Sequence, residues 1–170
     1  GQHTASRGPE LPEQPAPTDT VLERITQGAT TMLPIYFLSE GLRCSSSHPR
    51  NWAGVRANCG FRGSGRVYYE ARVESAGDDG VARFGWSAAG AALALGTDAF
   101  GYGYGGTARK SNSSRYDPYG AVFGPGDCIG CLLDLDTGRV AFTKNGAHQG
   151  VAFTLPAPVA SPLFPHVCLK

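Results

Sequence analysis

The sequence lacks any long hydrophobic run, and no apolar stretch approaches the roughly 18–20 residues that a membrane-spanning helix needs. The amino terminus also lacks the basic-then-apolar pattern of a secretory signal peptide. Charge is scarce as well: 17% of the residues are charged and the formal net charge is +1, which gives no overall attraction to nucleic acid or to a membrane. We therefore expect a soluble intracellular protein, nuclear or cytoplasmic, that has no membrane partner.

Cysteine is also sparse. The chain has five cysteines, an odd number at irregular spacing, unlike the dense and even set of a small disulfide-stapled domain. They are Cys44, Cys59, Cys128, Cys131 and Cys168. We expect reduced and mostly buried thiols.

Glycine and proline are abundant instead. The 24 glycines are twice the usual share of about 7%, and with 12 prolines they interrupt the chain every few residues. Such punctuation limits helices and favours short strands joined by turns. Because 41% of the residues are hydrophobic, the chain has enough apolar material for a core. A length of 170 residues then predicts one all-β domain plus a flexible segment.

The beginning of the chain differs in composition from the rest. Residues 1–19 are rich in proline and have almost no large apolar side chains, so they cannot bury enough surface to fold. Residues 20–31 place three apolar side chains on one helical face, which allows one short helical turn. We predict a flexible proline-rich linker over residues 1–31 and a β-sandwich domain over residues 32–170.

Alternation of apolar and polar residues marks the strands. In Val67–Glu74 every second side chain is apolar, so a strand there would bury one face and expose the other. Val81–Trp86 repeats the pattern, with Arg83 projecting outward from between apolar neighbours. We assign Trp86, together with Trp52, to the core.

Turn residues complete the pattern in the second half. Cys128–Leu135 is a predicted strand, and Asp136–Gly138 supplies the residues of a hairpin turn. Asn145–Gly146 then forms a second tight turn before Val151–Leu155. Short strands with turns about every 8–12 residues are typical of a β-sandwich or barrel.

Two motifs suggest ligands but stand in the wrong context. Gly101, Gly103 and Gly106 match a dinucleotide-binding fingerprint, yet the residues that follow are poor helix formers, which favours a glycine-rich β-turn. Cys128 and Cys131 have zinc-like spacing, but a strand sends them to opposite faces and no second Cys/His pair lies at a matching interval.

Asp134 and Asp136 resemble the start of a calcium loop. The sixth and twelfth positions of that loop hold Arg139 and Asn145 in place of glycine and glutamate, so the aspartates are predicted to shape the hairpin. The isolated histidines are predicted to lie on the surface or in the core. No spacing nominates a nucleophile with a histidine and an acid. We predict no catalytic residue, no metal site and no cofactor.

Four short motifs occur in order along the chain: Tyr68–Glu70 (YYE), Phe84–Ser87 (FGWS), Gly126–Gly130 (GDCIG) and Phe142–Gly146 (FTKNG). Their order and spacing resemble the signature of the SPRY domain, over a match from about Leu42 to Leu169. The segments Leu95–Lys110 and Cys128–Phe153 are most similar to the SPRY insert of a family of DEAD-box RNA helicases.

This resemblance implies a bent sandwich of two antiparallel sheets, a concanavalin-like jelly roll, whose end loops and concave face bind protein segments. In the helicase family the domain lies inside the first helicase lobe. The present chain has no phosphate-binding loop and no Asp-Glu-Ala-Asp run, so the resemblance implies an excised insert without ATP chemistry of its own. Arg83 matches the position that contacts an acidic peptide in some SPRY relatives.

Basic residues form two local runs. The stretch between Gly41 and Tyr69 has arginines and no acid, and a second run follows the glycine-rich segment. Arginine forks bind carboxylate and phosphate groups, and tyrosine rings offer stacking surface. The predicted partner-binding set is Arg83, Arg56, Arg62, Arg109, Lys110, Arg115, Tyr102 and Tyr104, with Tyr116 as a further stacking residue. The alternative is that these charges only solvate loops and that the aromatic residues belong to the core.

Two functions from different classes follow. One is a protein-interaction module that docks an acidic or extended peptide on the face lined by Arg83. The other is an auxiliary RNA-binding surface of a helicase, in which the basic loops contact phosphates. A third interpretation, a small enzyme or lectin, would need a convergent polar pocket or a metal. We expect the isolated domain to be a monomer.

Overall fold

The computed structural model describes residues 22–23, 35–38, 43–46, 51–75 and 81–170. These residues form strands, turns and bends, and no helix occurs among them. In chain order the strands are β1 (Leu22–Glu23), β2 (Ile35–Leu38), β3 (Arg43–Ser46), β4 (Ala53–Ala57), β5 (Phe61–Gly63), β6 (Arg66–Arg72), β7 (Ala82–Ala88), β8 (Gly101–Gly105), β9 (Arg109–Asn112), β10 (Arg115–Pro118), β11 (Cys128–Asp134), β12 (Arg139–Lys144), β13 (Ala147–Thr154) and β14 (Val159–Leu169). The all-β prediction is confirmed.

Two antiparallel sheets make up the domain. The larger sheet has the order β1-β4-β14-β7-β8-β9-β10, with β5 pairing β14 beside this path. The smaller sheet has the order β13-β12-β11-β6, and β2 and β3 form a hairpin of their own. Strand β14 lies between β4 and β7 in the larger sheet and pairs with both. The predicted sandwich of two antiparallel sheets is confirmed.

The predicted linker contains one described element. Leu22 and Glu23 pair antiparallel with Ala57 and Arg56 at one edge of the larger sheet. The chain is therefore extended at Leu22–Glu23, where we had expected a helical turn. The rest of the predicted linker over residues 1–31 lies outside the described residues.

Alternation on β6 has the predicted result. Its side chains alternate between exposed and half-buried along the strand, and Tyr68, Glu70 and Arg72 are on the exposed face. Val67, Tyr69 and Ala71, on the other face, pack against the core. The period of two in the sequence therefore corresponds to one wet face and one packed face of the smaller sheet.

The core lies between the sheets and is centred on aromatic rings. Trp86 is fully buried, and its ring lies 5.2 Å from that of Tyr69 in an edge-to-face arrangement. The Tyr69 hydroxyl donates to the Gly85 carbonyl at 2.7 Å and accepts from the Gly85 amide at 3.0 Å, which ties the smaller sheet to the larger one. A second aromatic group surrounds Tyr104, which is also fully buried. The core assignment of Trp86 is confirmed.

Both hairpin turns lie where turn residues predicted them. Gly138 has φ of 67°, and Asn145 and Gly146 have φ of 50° and 79°, which are left-handed values that suit these residue types. Asp134 accepts hydrogen bonds from the amides of Asp136 and Thr137 at 3.1 and 3.0 Å. The amide of Thr137 is the main reason that the pKa of Asp134 is lowered. Asp134 therefore shapes the hairpin, as predicted, whereas the Asp136 carboxylate accepts from the Gly65 amide at 3.0 Å outside the turn.

All five cysteines are free thiols. Cys131 and Cys168 are buried and Cys59 is exposed, while the other two are half-buried. Burial raises the pKa of Cys44 and of Cys168 to about 11 in each case. Within the described ranges, no helix is long and apolar enough to cross a membrane.

Candidate functional site

The outer face of the larger sheet carries the candidate site. Phe84 and Trp86 of β7 point into the core, so the intervening residues Arg83, Gly85 and Ser87 point to the outer face. The register from β14 through β7 and β8 to β9 brings Cys168, Arg83, Gly105 and Arg109 into one row across the strands. Directly opposed residues in antiparallel strands share a face, so this row lies outward.

A connecting segment, residues 89–98, covers part of this outer face. Its side chains Ala91, Leu93 and Leu95 are buried against the sheet. The segment can lie this close to the sheet only where the strands have glycine. A Cβ at Gly54 would collide with the Leu93 carbonyl, and one at Gly103 would press on Leu95. A glycine-rich β-turn was predicted at the residues that resembled a nucleotide-binding fingerprint, but Gly101 and Gly103 lie in the strand β8 and only Gly106 lies in a turn.

Three buried polar side chains fasten this segment. Arg56 donates to the carbonyls of Ala89 and Ala91 at 2.5 and 2.7 Å, and to the Ser87 hydroxyl at 2.7 Å. Ser87 in turn contacts Nδ1 of His166 at 2.7 Å, and Nε2 of His166 lies 3.2 Å from the Leu93 carbonyl. We call Arg56, Ser87 and His166 the latch.

The latch fixes the tautomer of its histidine. A carbonyl oxygen only accepts, so Nε2 of His166 carries the proton and Nδ1 accepts from Ser87. His166 is fully buried, and burial with the nearby Arg56 guanidinium lowers its pKa to about 3. The hydrogen bond between Ser87 and His166 is thus buried under residues 89–98 and has a structural role.

Arg56 was expected on a binding surface, and the structure corrects that expectation. Only 1% of its surface is exposed, and all three of its hydrogen bonds go to its own chain. Its guanidinium is therefore buried inside the domain, where its remaining donors cannot reach a partner. Its place in a run of arginines without an acid predicted exposure, and the sequence does not show that residues 89–98 fold over this arginine.

Arg83 stands at the border of the covered area. Its Cζ lies 3.9 Å from the centroid of the Trp52 ring and 5.1 Å from that of the Tyr116 ring. One guanidinium nitrogen donates to the Leu95 carbonyl at 3.1 Å. Trp52 precedes β4 and Tyr116 lies in β10, on opposite sides of β7 in the sheet. The rings therefore flank the guanidinium and hold it in place.

Trp52 corrects a second expectation. We had assigned it to the core, but it is half-buried and stacks on Arg83 at the outer face. Tyr116 is 40% exposed and lies in β10, so its ring reaches Arg83 past β9 and the glycine-rich strand β8. Alternation along the strand predicts that Tyr116 points outward. It does not predict that the rings of Trp52 and Tyr116 contact the same arginine, because that contact joins segments distant in the sequence.

Arg109 is the other cation on this face. It is exposed, and one of its nitrogens donates to the Tyr116 carbonyl at 2.8 Å. Gly105 separates Arg109 from Arg83 in the row across the strands. Gly105 adds no side chain between the two arginines, and the stem of Arg83 lies in contact range of the position that a Cβ would take there.

The remaining predicted residues do not join this face. Lys110 alternates inward from Arg109 and donates to the Ala152 carbonyl at 2.7 Å, which ties the edge of β13 to the larger sheet. Tyr104 is buried in the core, and Tyr102 packs half-buried against Phe153. These contacts favour the core alternative for the tyrosines.

Arg62 and Arg115 are exposed but lie elsewhere. Arg62 is in β5, which pairs with the beginning of β14, whereas Arg83 pairs with Cys168 near the end of β14. Arg115 alternates with Tyr116 on β10 and so points to the opposite face of the sheet. The structure therefore brings together Arg83 and Arg109, with Trp52 and Tyr116, and leaves the other cations outside.

Ion pairs neutralise several of the other surface cations. Arg43 pairs with Glu74, Arg66 with Asp134 and Lys144 with Asp127. In the part of the chain that the structure describes, no carboxylate lies within 4.0 Å of the Arg83 or Arg109 guanidinium. The face carries uncompensated positive charge.

Metal-binding residues do not cluster in the described ranges. No group of three or more His, Cys, Asp or Glu side chains with the geometry of a metal site occurs among those residues. Cys128 is half-buried and pairs with Arg72, while Cys131 is fully buried in the core. The predicted opposite orientation of these cysteines is confirmed.

Fold and site together define an antiparallel β-sandwich domain with one arginine-centred outer face. The chain belongs to the SPRY domain family, since the family model described as SPRY domain matches residues 66–170. All four motifs found in the sequence fall within this range. The resemblance inferred from those motifs is confirmed.

Curated relatives extend the comparison. The chain is 51% identical over 132 residues to the ATP-dependent RNA helicase Ddx1 of Drosophila melanogaster, a match that covers 77% of this chain and 18% of the relative. It is 43% identical over 131 residues to the ATP-dependent RNA helicase DDX1 of Xenopus laevis, covering 77% of the chain and 17% of the relative. The similarity to the SPRY region of DEAD-box helicases is thereby confirmed.

A third relative is of another kind. The chain is 30% identical over 185 aligned residues to the human heterogeneous nuclear ribonucleoprotein U-like protein 2, covering 99% of the chain and 25% of the relative. The chain thus spans less than a fifth of the two helicases and a quarter of this protein. The activity in the helicase names is a property of much longer proteins.

Proposed function

We propose that this chain is a non-catalytic protein-interaction module that docks an extended acidic peptide on the outer face around Arg83. The observation that supports this proposal is the position of the Arg83 guanidinium, which lies between the rings of Trp52 and Tyr116 and donates a hydrogen bond to the Leu95 carbonyl. Three contacts from three segments hold one cation at the surface. A preorganised guanidinium loses little entropy when it binds a carboxylate.

The surroundings of Arg83 suit a peptide. With a ring on either flank, a ligand approaches the guanidinium in its own plane, where a carboxylate accepts two parallel hydrogen bonds. Tyr116 and Trp52 offer partly exposed aromatic surface beside the charge, and aromatic residues with arginine are enriched at binding hot spots. Membership of the SPRY family supports a role in protein interaction.

Selection from a display library of random extended peptides tests this proposal. The intact chain should enrich acidic peptides, and Arg83→Ala should abolish that enrichment while its melting curve stays cooperative. Arg115→Ala is the matched control, since it removes an exposed arginine that points away from the face, and it should enrich the same peptides. Equal enrichment by the Arg83 variant would remove Arg83 from the site.

An auxiliary RNA-binding surface is the second candidate, favoured by the names of the helicase relatives. Arg109 would contact a phosphate, with Tyr116 as a stacking residue on the same face. Salt separates the two functions, because the logarithm of an RNA affinity falls by about 0.7 per phosphate neutralised for each unit of log salt. In either case we place the parent in RNA processing, in the nucleus or cytoplasm, with the isolated domain as a monomer.

A further inference from the structure

Resting on the proposed function, we propose that the space between Arg83 and Arg109 binds a phosphomonoester side chain, that of a phosphoserine or phosphothreonine in the partner peptide. The arginines stand on one face in the same row across the strands, with Gly105 between them in that row and the Tyr116 ring beside Arg83. We call this space the arginine notch. Its chemistry differs from that of a single arginine that reads one carboxylate.

The spacing of the notch allows both arginines to reach one group. Neighbouring strands lie about 4.8 Å apart, so Arg83 on β7 and Arg109 on β9 are separated by roughly 10 Å at the backbone. Two arginine side chains reach a common ligand across that span. A Cβ at Gly105 would lie 3.5 Å from Cγ of Arg83, so the stem of Arg83 passes beside this glycine and the glycine adds no side chain of its own.

Each arginine is anchored by one donor and keeps others. Arg83 uses one nitrogen for the Leu95 carbonyl, and Arg109 uses one for the Tyr116 carbonyl. A guanidinium has five N–H donors, so both retain a pair of donors for an anion. These hydrogen bonds to backbone carbonyls position the two side chains without neutralising their positive charges.

Charge around the notch is one-sided. Asp117 is the acid nearest in sequence to Tyr116, but it alternates to the opposite face of β10 and opposes Lys110. Asp98 accepts from the amides of Ala92 and Phe100 at 2.6 and 2.9 Å, so it is committed to its own loop. Among the described residues, two cations thus share the notch without an acid between them.

The number of donors favours a phosphomonoester over a carboxylate. One arginine fork already satisfies both oxygens of a carboxylate. A phosphomonoester presents three acceptor oxygens and about −1.5 to −2 charges at pH 7, which matches two forks. An RNA phosphodiester carries one charge per group and binds best to a track of cations. The outer face offers no such track in the described ranges, because Lys110 is tied to Ala152 and Arg115 points away.

Side-chain NMR with small probes tests the notch in the intact chain. The probes are N-acetyl-phosphoserine amide, N-acetyl-glutamate amide and dimethyl phosphate, and the signals are the arginine Nε–H resonances. We expect the phosphoserine probe to shift both Arg83 and Arg109, and to bind at least about tenfold more tightly than either other probe. At pH 5 the preference should shrink, because the second phosphate pKa is near 6.

Arg109→Ala provides the decisive variant, because this exposed residue can be removed without touching the core. Its phosphoserine affinity should fall to about that of the glutamate probe, whereas Arg115→Ala should retain the full preference. Equal binding of the glutamate and phosphoserine probes, or shifts that map outside the notch, would overturn the inference. If the binding of acidic peptides still required Arg83, the proposed function would stand even though the phosphate inference had failed. Loss of Arg83 dependence would instead refute the proposed function.

Discussion

The Arg83 guanidinium carbon lies 3.9 Å from the centre of the Trp52 ring. This contact joins a residue that precedes β4 to one near the start of β7, two strands that β14 separates in the sheet. It converts a flexible surface cation into a fixed one. The consequences for binding and for stability can be measured separately.

Trp52→Ala should weaken peptide binding through Arg83 while changing stability little. The ring contributes about 1 kcal/mol of cation–π energy at a partly exposed position. In a double-mutant cycle with Arg83→Ala, binding energies should therefore be non-additive by about that amount. Calorimetric titration of all four proteins measures the coupling. Strict additivity would show that the stack does not prepare Arg83 for its ligand.

Arg56→Ala should destabilise the domain by roughly 3–5 kcal/mol, because it leaves the carbonyls of Ala89 and Ala91 buried without donors. Arg62→Ala, at an exposed position, should stay within about 0.5 kcal/mol of the parent. Urea unfolding of both variants gives the comparison. Similar midpoints would mean that the latch does not hold the segment over the sheet.

Stability should fall as the pH drops below about 6.5. The folded pKa of His166 is about 3, below the ordinary 6.5, so the unfolded chain takes up a proton that the folded chain refuses. Both states are neutral above pH 6.5, and the contribution is lost progressively as the pH falls towards 3. Between pH 6.5 and pH 4.5 the loss from this group is about 2–3 kcal/mol.

His166→Gln isolates this effect. Glutamine keeps a donor for the Leu93 carbonyl but does not titrate, so the variant should show a flatter dependence of unfolding free energy on pH. Urea unfolding at several pH values measures the slope. Parallel slopes for parent and variant would show that His166 is not the group responsible.

Trp86→Ala should cost about 3–5 kcal/mol, because it empties the centre of the core. The indole nitrogen of Trp86 is buried without a hydrogen-bond partner among the described residues. Trp86→Phe should therefore cost much less, since it keeps most of the ring and removes an unsatisfied donor. Thermal melts rank the two variants. A barely shifted melt for the alanine variant would place Trp86 outside the core.

Local patterns in the sequence predicted the elements of this fold well. Alternation around Tyr69 gave the packed face of β6, and glycines such as Gly138 gave the turns. Contacts between distant segments were not predictable in this way. Arg56 was expected at the surface but is buried, because residues 89–98 cover it. Trp52 was expected in the core but lies at the outer face, where its ring contacts Arg83. Periodicity shows on which side of a strand a residue lies, but it does not show what covers that side.

The candidate site was predicted only in part for the same reason. Arg83 and Arg109 have the outward positions that a binding surface needs, and alternation indicates those positions. Lys110 looked equivalent to Arg109 in the sequence, yet one residue of shift turns it towards the Ala152 carbonyl of the other sheet. Charge runs along a strand therefore divide between its faces.

Titration calorimetry of one display-selected acidic peptide against the parent chain, Arg83→Ala and Arg115→Ala tests the central claim most directly. The account predicts that the dissociation constant rises at least about twentyfold for the Arg83 variant and stays within about twofold for the Arg115 variant, with both proteins fully folded. Equal affinities for the three proteins would contradict a binding face centred on Arg83.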